Sequence, residues 1–108
     1  MIVRIASAAV SETKLDGCVN HIRENVMPKY EAMPGLLMVW LLQRQFVAYV
    51  ELVLLSIWKT EEEMNTFVTS QPPDPILTGE GVIQIEARTY ELSKSLVGHY
   101  SRCDPPGT

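Results

Sequence analysis

The segment ELVLLSIWKTEEEMNTF, residues 51–67, decides how this chain folds. In its first half, every residue from Leu52 to Trp58 except Ser56 is apolar, which is typical of a strand that is buried on both faces. Its second half places Thr60 and Glu63 at the spacing of a helix capping box, so the pattern predicts that a helix begins there. Trp58 lies at the corner between the two elements. It is either a core residue or the wall of a ligand pocket.

Composition limits the chain to one globular domain with few classes of partner. It has 108 residues, of which 46% are hydrophobic and 20% are charged. Such a length is typical of one domain, and such a composition is typical of a folded chain. The net charge is -4, and no cluster of Lys and Arg occurs. Binding to nucleic acid or to an anionic membrane surface requires such a cluster, so we expect neither partner.

No targeting segment or membrane span is predicted from the sequence. The stretch MIVRIASAAV is interrupted by Arg4 and Ser7 and is too short for the apolar core of a signal peptide. The apolar run Leu36–Leu42 is far shorter than the ~20 residues that a membrane-spanning helix requires. We therefore expect a cytoplasmic protein. Cys18 and Cys103 are far apart and form no CxxC motif, so we expect neither a disulfide framework nor a zinc site.

The chain before residue 36 predicts a strand followed by a helix. Ile2–Val10 is rich in β-branched and small residues, which indicates the first strand. Thr13 and Asp16 resemble a capping box, and an apolar stripe at helical spacing runs from there to Val26. Pro28 is expected to end or kink this helix near Val26 or Met27, because proline lacks an amide donor.

Two antiparallel strands and a second helix are predicted next. The segments LLMVWLLQRQ and FVAYVELVLLSIW, residues 36–58, are interpreted as a hairpin with its turn near Gln43–Gln45. The second helix follows, with Met64, Phe67 and Val68 on its apolar face, and it ends at the prolines of SQPPDP.

The last strand is predicted over Val82–Leu92. We therefore assign residues 1–94 to one domain and residues 95–108 to a C-terminal tail, which contains His99 and Cys103.

The resulting order, β-α-β-β-α-β, is that of the ferredoxin-like fold. In this α+β fold two helices cover one face of a four-stranded antiparallel sheet and leave the other face open. An open face in a monomer alternates to polar residues, but the strands at residues 36–42 and 52–58 are apolar on both faces. We therefore expect a homodimer in which two such sheets stack face to face.

The sequence resembles the antibiotic biosynthesis monooxygenase family of the dimeric α+β barrel superfamily. The likeness lies in the order of elements, in MPGLL at residues 33–37, and in the quoted residues 51–67, and it extends over Ile2–Leu92. It implies that two chains pair into a dimeric α+β barrel, with a ligand cavity between each sheet and its own helices. Members include cofactor-independent oxygenases of phenolic, anthrone or quinol substrates and a branch that degrades heme.

The resemblance implies a set of substrate-binding residues around the quoted corner. In the oxygenases the tryptophan at the end of the strand lines the substrate cavity, and Trp58 matches it. Strand alternation places Ser56 and Leu54 on the same face as Trp58, and Met64 and Phe67 face back from the helix. These five residues are the candidates for binding a small hydrophobic aromatic ligand.

Arg88 and Tyr90 on the last strand are the candidate catalytic residues. A cationic or phenolic group beside the cavity would stabilise the oxyanion of a substrate that loses its proton. Arg4 on the first strand could contribute to the same cationic wall. The alternative for both arginines is a structural ion pair with Glu51 or Glu86.

Three positions differ from the pattern of the family. Leu54 stands where the oxygenases carry an asparagine that contacts the substrate oxygen, and Met64 stands where they carry a tyrosine. Val68 stands where the heme-degrading branch carries its iron-binding histidine, so we expect no heme, metal or other cofactor. Two functions remain: a cofactor-independent monooxygenase of a small phenolic, anthrone or quinol-like substrate, and a non-catalytic homodimeric module that binds a small ligand or serves assembly.

Overall fold

The computed structural model describes residues 1–71 and 82–92, so the predicted tail, residues 95–108, lies outside the described residues. The elements in chain order are β1 (Ile2–Val10), α1 (Glu12–His21), a π-helical segment (Ile22–Val26), α2 (Met27–Glu31), β2 (Leu36–Gln45), β3 (Val50–Trp58), α3 (Glu61–Ser70) and β4 (Val82–Glu91). The strands form one antiparallel sheet in the order β2-β3-β1-β4. The predicted ferredoxin-like α+β fold is therefore confirmed.

Side chains of the sheet alternate between two faces. Leu52 and Trp58 of β3 are buried on the face that the helices cover, which we call the helix face. Val53 and Leu55 of β3 lie on the opposite face, which we call the open face, because no described element covers it. Within the described residues, no helix is long and apolar enough to cross a membrane.

The first helical region differs from the prediction at its start and in its middle. It begins at Glu12, after an extended Ser11, rather than at a capping box of Thr13 and Asp16. Helical structure also continues past Pro28, so the helix does not end there, although a π-helical segment interrupts the regular α-helix up to Val26, where an end or a kink was predicted. Proline removes one amide donor wherever it occurs in a helix. The wider turn of the π-helical segment accommodates that loss without ending the helix.

The turn between β2 and β3 lies later than predicted. Strand β2 continues through Gln43–Gln45, and the turn is closed where the Phe46 amide donates to the Tyr49 carbonyl at 2.8 Å. The rings of Phe46 and Tyr49 stack with centroids 4.8 Å apart, and the Arg44 guanidinium lies 4.6 Å from the Phe46 centroid. This turn contains no Gly or Asn, so its place depends on these aromatic and cation–π contacts, which the sequence pattern does not display.

Helix α3 begins and ends as predicted, but its apolar face is narrower. The Thr60 hydroxyl accepts a hydrogen bond from the Glu63 amide at 3.2 Å, which confirms the cap. Met64 and Phe67 are buried, whereas Val68 is exposed. Phe67 and Val68 lie on opposite flanks of Met64 around the helix axis, and only the Phe67 flank packs against the core.

Gly35 explains the Pro-Gly step that precedes β2. Its φ of 90° is a conformation that residues with a side chain rarely adopt. Its carbonyl accepts a hydrogen bond from the Lys59 amide at 2.8 Å, and a Cβ at this position would collide with the Glu63 carboxylate. This glycine therefore ties the start of β2 to the corner between β3 and α3.

Candidate functional site

Four side chains form a buried cluster at one end of the helix face, and we call it the aromatic cluster: Tyr30, Trp58, Met64 and Phe67. Trp58 is 0% exposed, and its ring centroid lies 6.3 Å from that of Tyr30 and 5.4 Å from that of Phe67. The Tyr30 and Phe67 rings are 4.6 Å apart. All three pairs are tilted, as aromatic pairs prefer. Trp58 is therefore a core residue that joins β3 to α2 and α3.

The polar atom of this tryptophan is also satisfied inside the core. The Trp58 Nε1–H donates to the Ser56 Oγ at 3.0 Å, and both residues are buried. A buried indole normally requires such an acceptor, because an unpaired N–H is costly away from water. Ser56 therefore orients the Trp58 ring.

A guanidinium lies beside the aromatic cluster. Arg4 on β1 is partly buried and faces Ser56 across the β1–β3 ladder, so it belongs to the helix face. Its Nη1 donates to the Tyr30 hydroxyl at 3.4 Å. Among residues 1–71 and 82–92, no carboxylate lies within ion-pair distance of Arg4. Burial raises the pKa of the Tyr30 hydroxyl, and the Arg4 charge and hydrogen bond offset part of that rise.

An apolar cavity of about 90 Å³ lies next to the cluster, between the sheet and the first helical region. Its walls include Ala6 and Ala8 of β1, Leu41 of β2, Leu52 and Leu54 of β3, and Ile22 of the π-helical segment. The two alanines are small, so they leave space where larger strand residues would fill the layer.

The cavity and the aromatic cluster adjoin each other along the sheet. Leu54 and Val26 pack against both of the buried clusters that make up the core. On the helix face, Ala6 pairs with Leu54 beside the cavity, and the next row along the same strands is Arg4 with Ser56. One layer of the protein therefore contains an apolar cavity, a buried phenol and a guanidinium as neighbours.

Solved structures of other proteins share this arrangement of elements. A proposed antibiotic biosynthesis monooxygenase from Bacillus cereus is 19% identical, with a TM-score of 0.62 over 88% of this chain and 94% of that one. SnoaB, a cofactor-independent oxygenase from Streptomyces nogalater, is 14% identical, with a TM-score of 0.60 over 89% of this chain and 97% of its own. The chain has the fold of the antibiotic biosynthesis monooxygenases.

A third structure with the antibiotic biosynthesis monooxygenase fold contains a ligand. It is the monooxygenase ActVA-Orf6 of Streptomyces coelicolor in complex with nanaomycin D, which is 14% identical with a TM-score of 0.58 over 89% of this chain and 90% of that one. No family profile and no curated protein sequence matches this chain. At these identities the likeness establishes the fold alone.

Within this fold, the structure gathers the five predicted substrate-binding residues on one side of the sheet. Leu54 lines the apolar cavity, and Ser56 holds the Trp58 indole. Met64 and Phe67 of α3 complete the aromatic cluster around Trp58. In the described residues, no group of three or more His, Cys, Asp or Glu side chains could hold a metal ion.

The two predicted catalytic residues lie on the other side of the sheet. Arg88 pairs with Ile5 across the β1–β4 ladder, on the open face, where it forms a salt bridge with Glu86. Its Nη1 donates to the Tyr90 hydroxyl at 3.4 Å. Because the sheet separates the two faces, the structure does not bring Arg88 and Tyr90 together with Trp58. The ion-pair alternative for Arg88 is the one that the structure contains.

A β-bulge explains why this arginine faces away from the helices. Val82 is buried on the helix face, and Arg88 follows it by an even number of residues, so regular alternation would place both on one face. The register between β1 and β4 shifts between Ser7 and Ala8, where one extra residue of β4 is accommodated. One extra residue exchanges the faces of every side chain beyond it.

Sequence reasoning missed Tyr30 and the small residues beneath the cavity. Tyr30 follows Val26 by one helical turn and continues its apolar stripe, but the predicted stripe ended at Val26, because Pro28 was expected to end or kink the helix there. Ala6 and Ala8 alternate within the run IASAAV, and small side chains on one face of a strand are the signal that could have indicated a cavity.

Proposed function

We propose that this protein is a cofactor-independent monooxygenase that acts on a small phenolic, anthrone or quinol-like substrate. The observation that carries the proposal is the apolar cavity between the sheet and the helices, with a guanidinium and a buried phenol in the next row of the sheet. Sites for small aromatic ligands combine an apolar pocket with a few convergent polar groups. Two proteins of the same fold add support, since SnoaB is a cofactor-independent oxygenase and ActVA-Orf6 contains nanaomycin D.

In such a reaction the substrate supplies its own electrons. The methylene group of an anthrone, for example, reacts with dioxygen to give a carbonyl group and water, so one oxygen atom enters the substrate and the other leaves as water. The substrate first loses a proton, and its anion transfers an electron to dioxygen. The work of the protein is then to hold the rings and to stabilise the anion.

The size of the cavity sets a requirement on this proposal. A cavity of about 90 Å³ is smaller than the roughly 150 Å³ in which a protein core holds benzene. An aromatic substrate therefore enters only if the layer between sheet and helices widens. The wall most suited to this movement is the π-helical segment at Ile22, because such segments are weak points of a helix.

A second candidate function is a non-catalytic homodimeric module that binds a small ligand or serves assembly. The observations that favour it are the packing of Trp58, which is fully buried with its indole N–H satisfied, and the small volume of the cavity. A ligand smaller than one aromatic ring fits this cavity without any movement of the helices.

Both functions include the proposal that two chains pair through the open face. That face carries contiguous apolar side chains of β2 and β3: Met38, Trp40, Leu42, Val53, Leu55 and Ile57. Trp40 is 48% exposed, and large exposed apolar patches of this kind mark interaction sites. A second copy of the same sheet offers the complementary apolar surface, as in stacked sheets.

Oxygen consumption separates the two functions. We expect the wild-type protein to accelerate oxygen uptake with at least one quinol or anthrone above the rate of spontaneous oxidation, with one atom of labelled dioxygen appearing in the product. Binding without oxygen uptake would support the module and reject the monooxygenase. The absence of both would reject the monooxygenase and the ligand-binding role.

A matched pair of variants tests whether the cavity is the site. Ala8→Leu fills the cavity from the helix face, and Ala9→Leu adds the same group to the neighbouring residue on the open face. We expect Ala8→Leu to abolish uptake and binding while Ala9→Leu retains them. Equal activity in the two variants would place the site elsewhere.

A further inference from the structure

Arg4 has an incomplete set of partners for a partly buried cation. A guanidinium carries five N–H donors, and in the described part of the chain its hydrogen bond is to the neutral Tyr30 hydroxyl. Its cross-strand neighbours on the helix face are Ser56 and Thr89, which carry no charge, and the Ser56 hydroxyl already accepts from Trp58. Buried cations are normally paired with an anion, so this position is suited to an anion that residues 1–71 and 82–92 do not supply.

Tyr30 offers a second donor at the same place. Its side chain is 5% exposed, and its oxygen accepts a hydrogen bond from Arg4. The hydroxyl proton has no acceptor among the described residues. A hydroxyl that accepts from a cation is polarised and becomes a stronger donor in turn. The pair therefore presents two kinds of donor and no carboxylate.

The pair lies next to the apolar cavity. The Arg4–Ser56 row and the Ala6–Leu54 row are consecutive on the helix face, which corresponds to about 7 Å along the strands. Leu54 belongs to the walls of the cavity and also packs against the aromatic cluster that contains Tyr30. Once the layer between sheet and helices has widened, a flat ligand with its rings in the cavity can therefore direct one oxygen atom toward Arg4 and Tyr30.

We propose that Arg4 and Tyr30 bind the ionised oxygen of a phenolate or enolate whose rings occupy the apolar cavity. This inference rests on the proposed monooxygenase function and assigns to Arg4 the anion-stabilising role that the sequence suggested for Arg88. The oxygen loses its proton to solvent, and Arg4 and Tyr30 donate hydrogen bonds to the resulting anion. By favouring the anion, the pair increases the population of the species that donates an electron to dioxygen.

A matched pair of ligands tests the inference directly. The probes are 2-hydroxy-1,4-naphthoquinone, which is an anion at neutral pH, and its neutral methyl ether. We expect calorimetric titration of the full chain to give at least tenfold tighter binding of the anion than of the ether. Equal affinities would overturn the inference. Tighter binding of 2-naphthoate than of the hydroxyquinone anion would also overturn it, because the site would then select a carboxylate.

Variants of the two donors show where the preference arises. Arg4→Met keeps the length of the apolar stem and removes the charge, and we expect it to abolish the preference for the anion. Arg4→Lys is expected to retain part of the preference, and Tyr30→Phe is expected to weaken it. Arg88→Gln, on the open face, is the control and should bind like the wild type. Loss of the preference in Arg88→Gln but not in Arg4→Met would overturn the inference.

A stability measurement separates this role from a structural one. A cation without a protein anion contributes little to folding, so Arg4→Met is expected to unfold at the temperature of the wild type or above it. A strong decrease in the unfolding temperature would mean that Arg4 is a structural residue and would overturn the inference.

Failure of the inference and failure of the proposed function give different results. If the wild type consumes oxygen with a quinol and Arg4→Met is equally active, the function stands and the inference fails. If the wild type prefers the anion through Arg4 but consumes no oxygen with any substrate, the inference stands and the monooxygenase proposal fails. If neither probe binds and the wild type consumes no oxygen with any quinol or anthrone, both fail.

Discussion

Both faces of the sheet carry apolar side chains, but the helices cover those on the helix face and no described element covers those on the open face. The two tryptophans, one on each face, illustrate the difference. Trp58 on the helix face is 0% exposed, with three buried neighbours and a bonded indole N–H. Trp40 on the open face is 48% exposed and belongs to an apolar surface that no described element covers. The helices of the chain remove the first face from water, whereas no element among the described residues does so for the second face. The hydrophobicity of the sequence alone therefore does not tell which apolar residues are buried by the helices and which stay exposed on the other face.

Substitution of the buried tryptophan should have the largest effect. We expect Trp58→Ala to lower the free energy of unfolding by about 3–5 kcal/mol, because it leaves a large cavity among Tyr30, Met64 and Phe67. Trp58→Phe should keep most of the stability. Denaturant unfolding measures both free energies. The control is Trp40→Ala, measured at a protein concentration low enough to keep the chain monomeric. Equal losses for Trp58→Ala and Trp40→Ala in that monomer would contradict the difference between the faces.

A charge on the open face should break the proposed homodimer. Trp40→Glu would place a carboxylate between the stacked sheets, where its desolvation opposes association. We expect sedimentation velocity to show a folded monomer for Trp40→Glu and a dimer for the wild type. Val47→Glu, at the exposed turn between β2 and β3, adds the same charge outside that face and should remain dimeric. A folded wild-type monomer at micromolar concentration would contradict the homodimer.

Alkaline pH should lower the free energy of unfolding through the ionisation of Tyr30 on the helix face. Burial raises the pKa of its hydroxyl in the folded state above the value of about 10 for an exposed phenol. The unfolded chain therefore releases this proton first as the pH rises, so the stability that is present below pH ~10 decreases above it. Tyr30→Phe removes this contribution, and its free energy of unfolding should decrease less between pH ~9 and ~11 than that of the wild type. Parallel curves for the two proteins would contradict the burial effect.

The salt bridge on the open face should make the smallest contribution to the free energy of unfolding. Arg88 and Glu86 are both exposed, and exposed ion pairs contribute between about 0.2 and 1 kcal/mol. We expect Arg88→Gln to lower the free energy of unfolding by less than about 0.5 kcal/mol in the Trp40→Glu monomer, with a smaller effect at high salt. A loss above about 1 kcal/mol in that monomer would contradict the description of this pair as exposed.

Local sequence signals predicted most of the fold. The apolar runs indicated the strands, the Thr60 cap indicated the start of a helix, and the prolines after residue 71 indicated its end. Each of these signals acts within a few residues of the chain. The signals failed where other contacts within the same segment compete with them. Pro28 lies within a helical region because the π-helical segment accommodates it, and the turn at Phe46–Tyr49 depends on ring stacking.

The candidate site was predictable only in part. Alternation along β3 correctly grouped Leu54, Ser56 and Trp58, since those residues lie in one uninterrupted strand. Tyr30 was not predicted as a core residue, because its burial depends on how α2 packs against β3. Arg4 was recognised as a candidate, but only the structure places it beside a phenol, with no carboxylate in ion-pair reach in the part of the chain that is described.

The sequence by itself determined which segments form strands and helices, and that one face of the sheet would be too apolar for water. Only the tertiary structure decided which face is occupied by residues that lie beyond a bulge. The bulge between Leu36 and Met38 of β2 turns Trp40 to the open face, and the bulge in β4 does the same to Arg88. The physical reason is that strand alternation has a period of two, so one extra residue reverses the face of every residue that follows. Whether such a residue is inserted depends on pairing between strands that are distant in the chain.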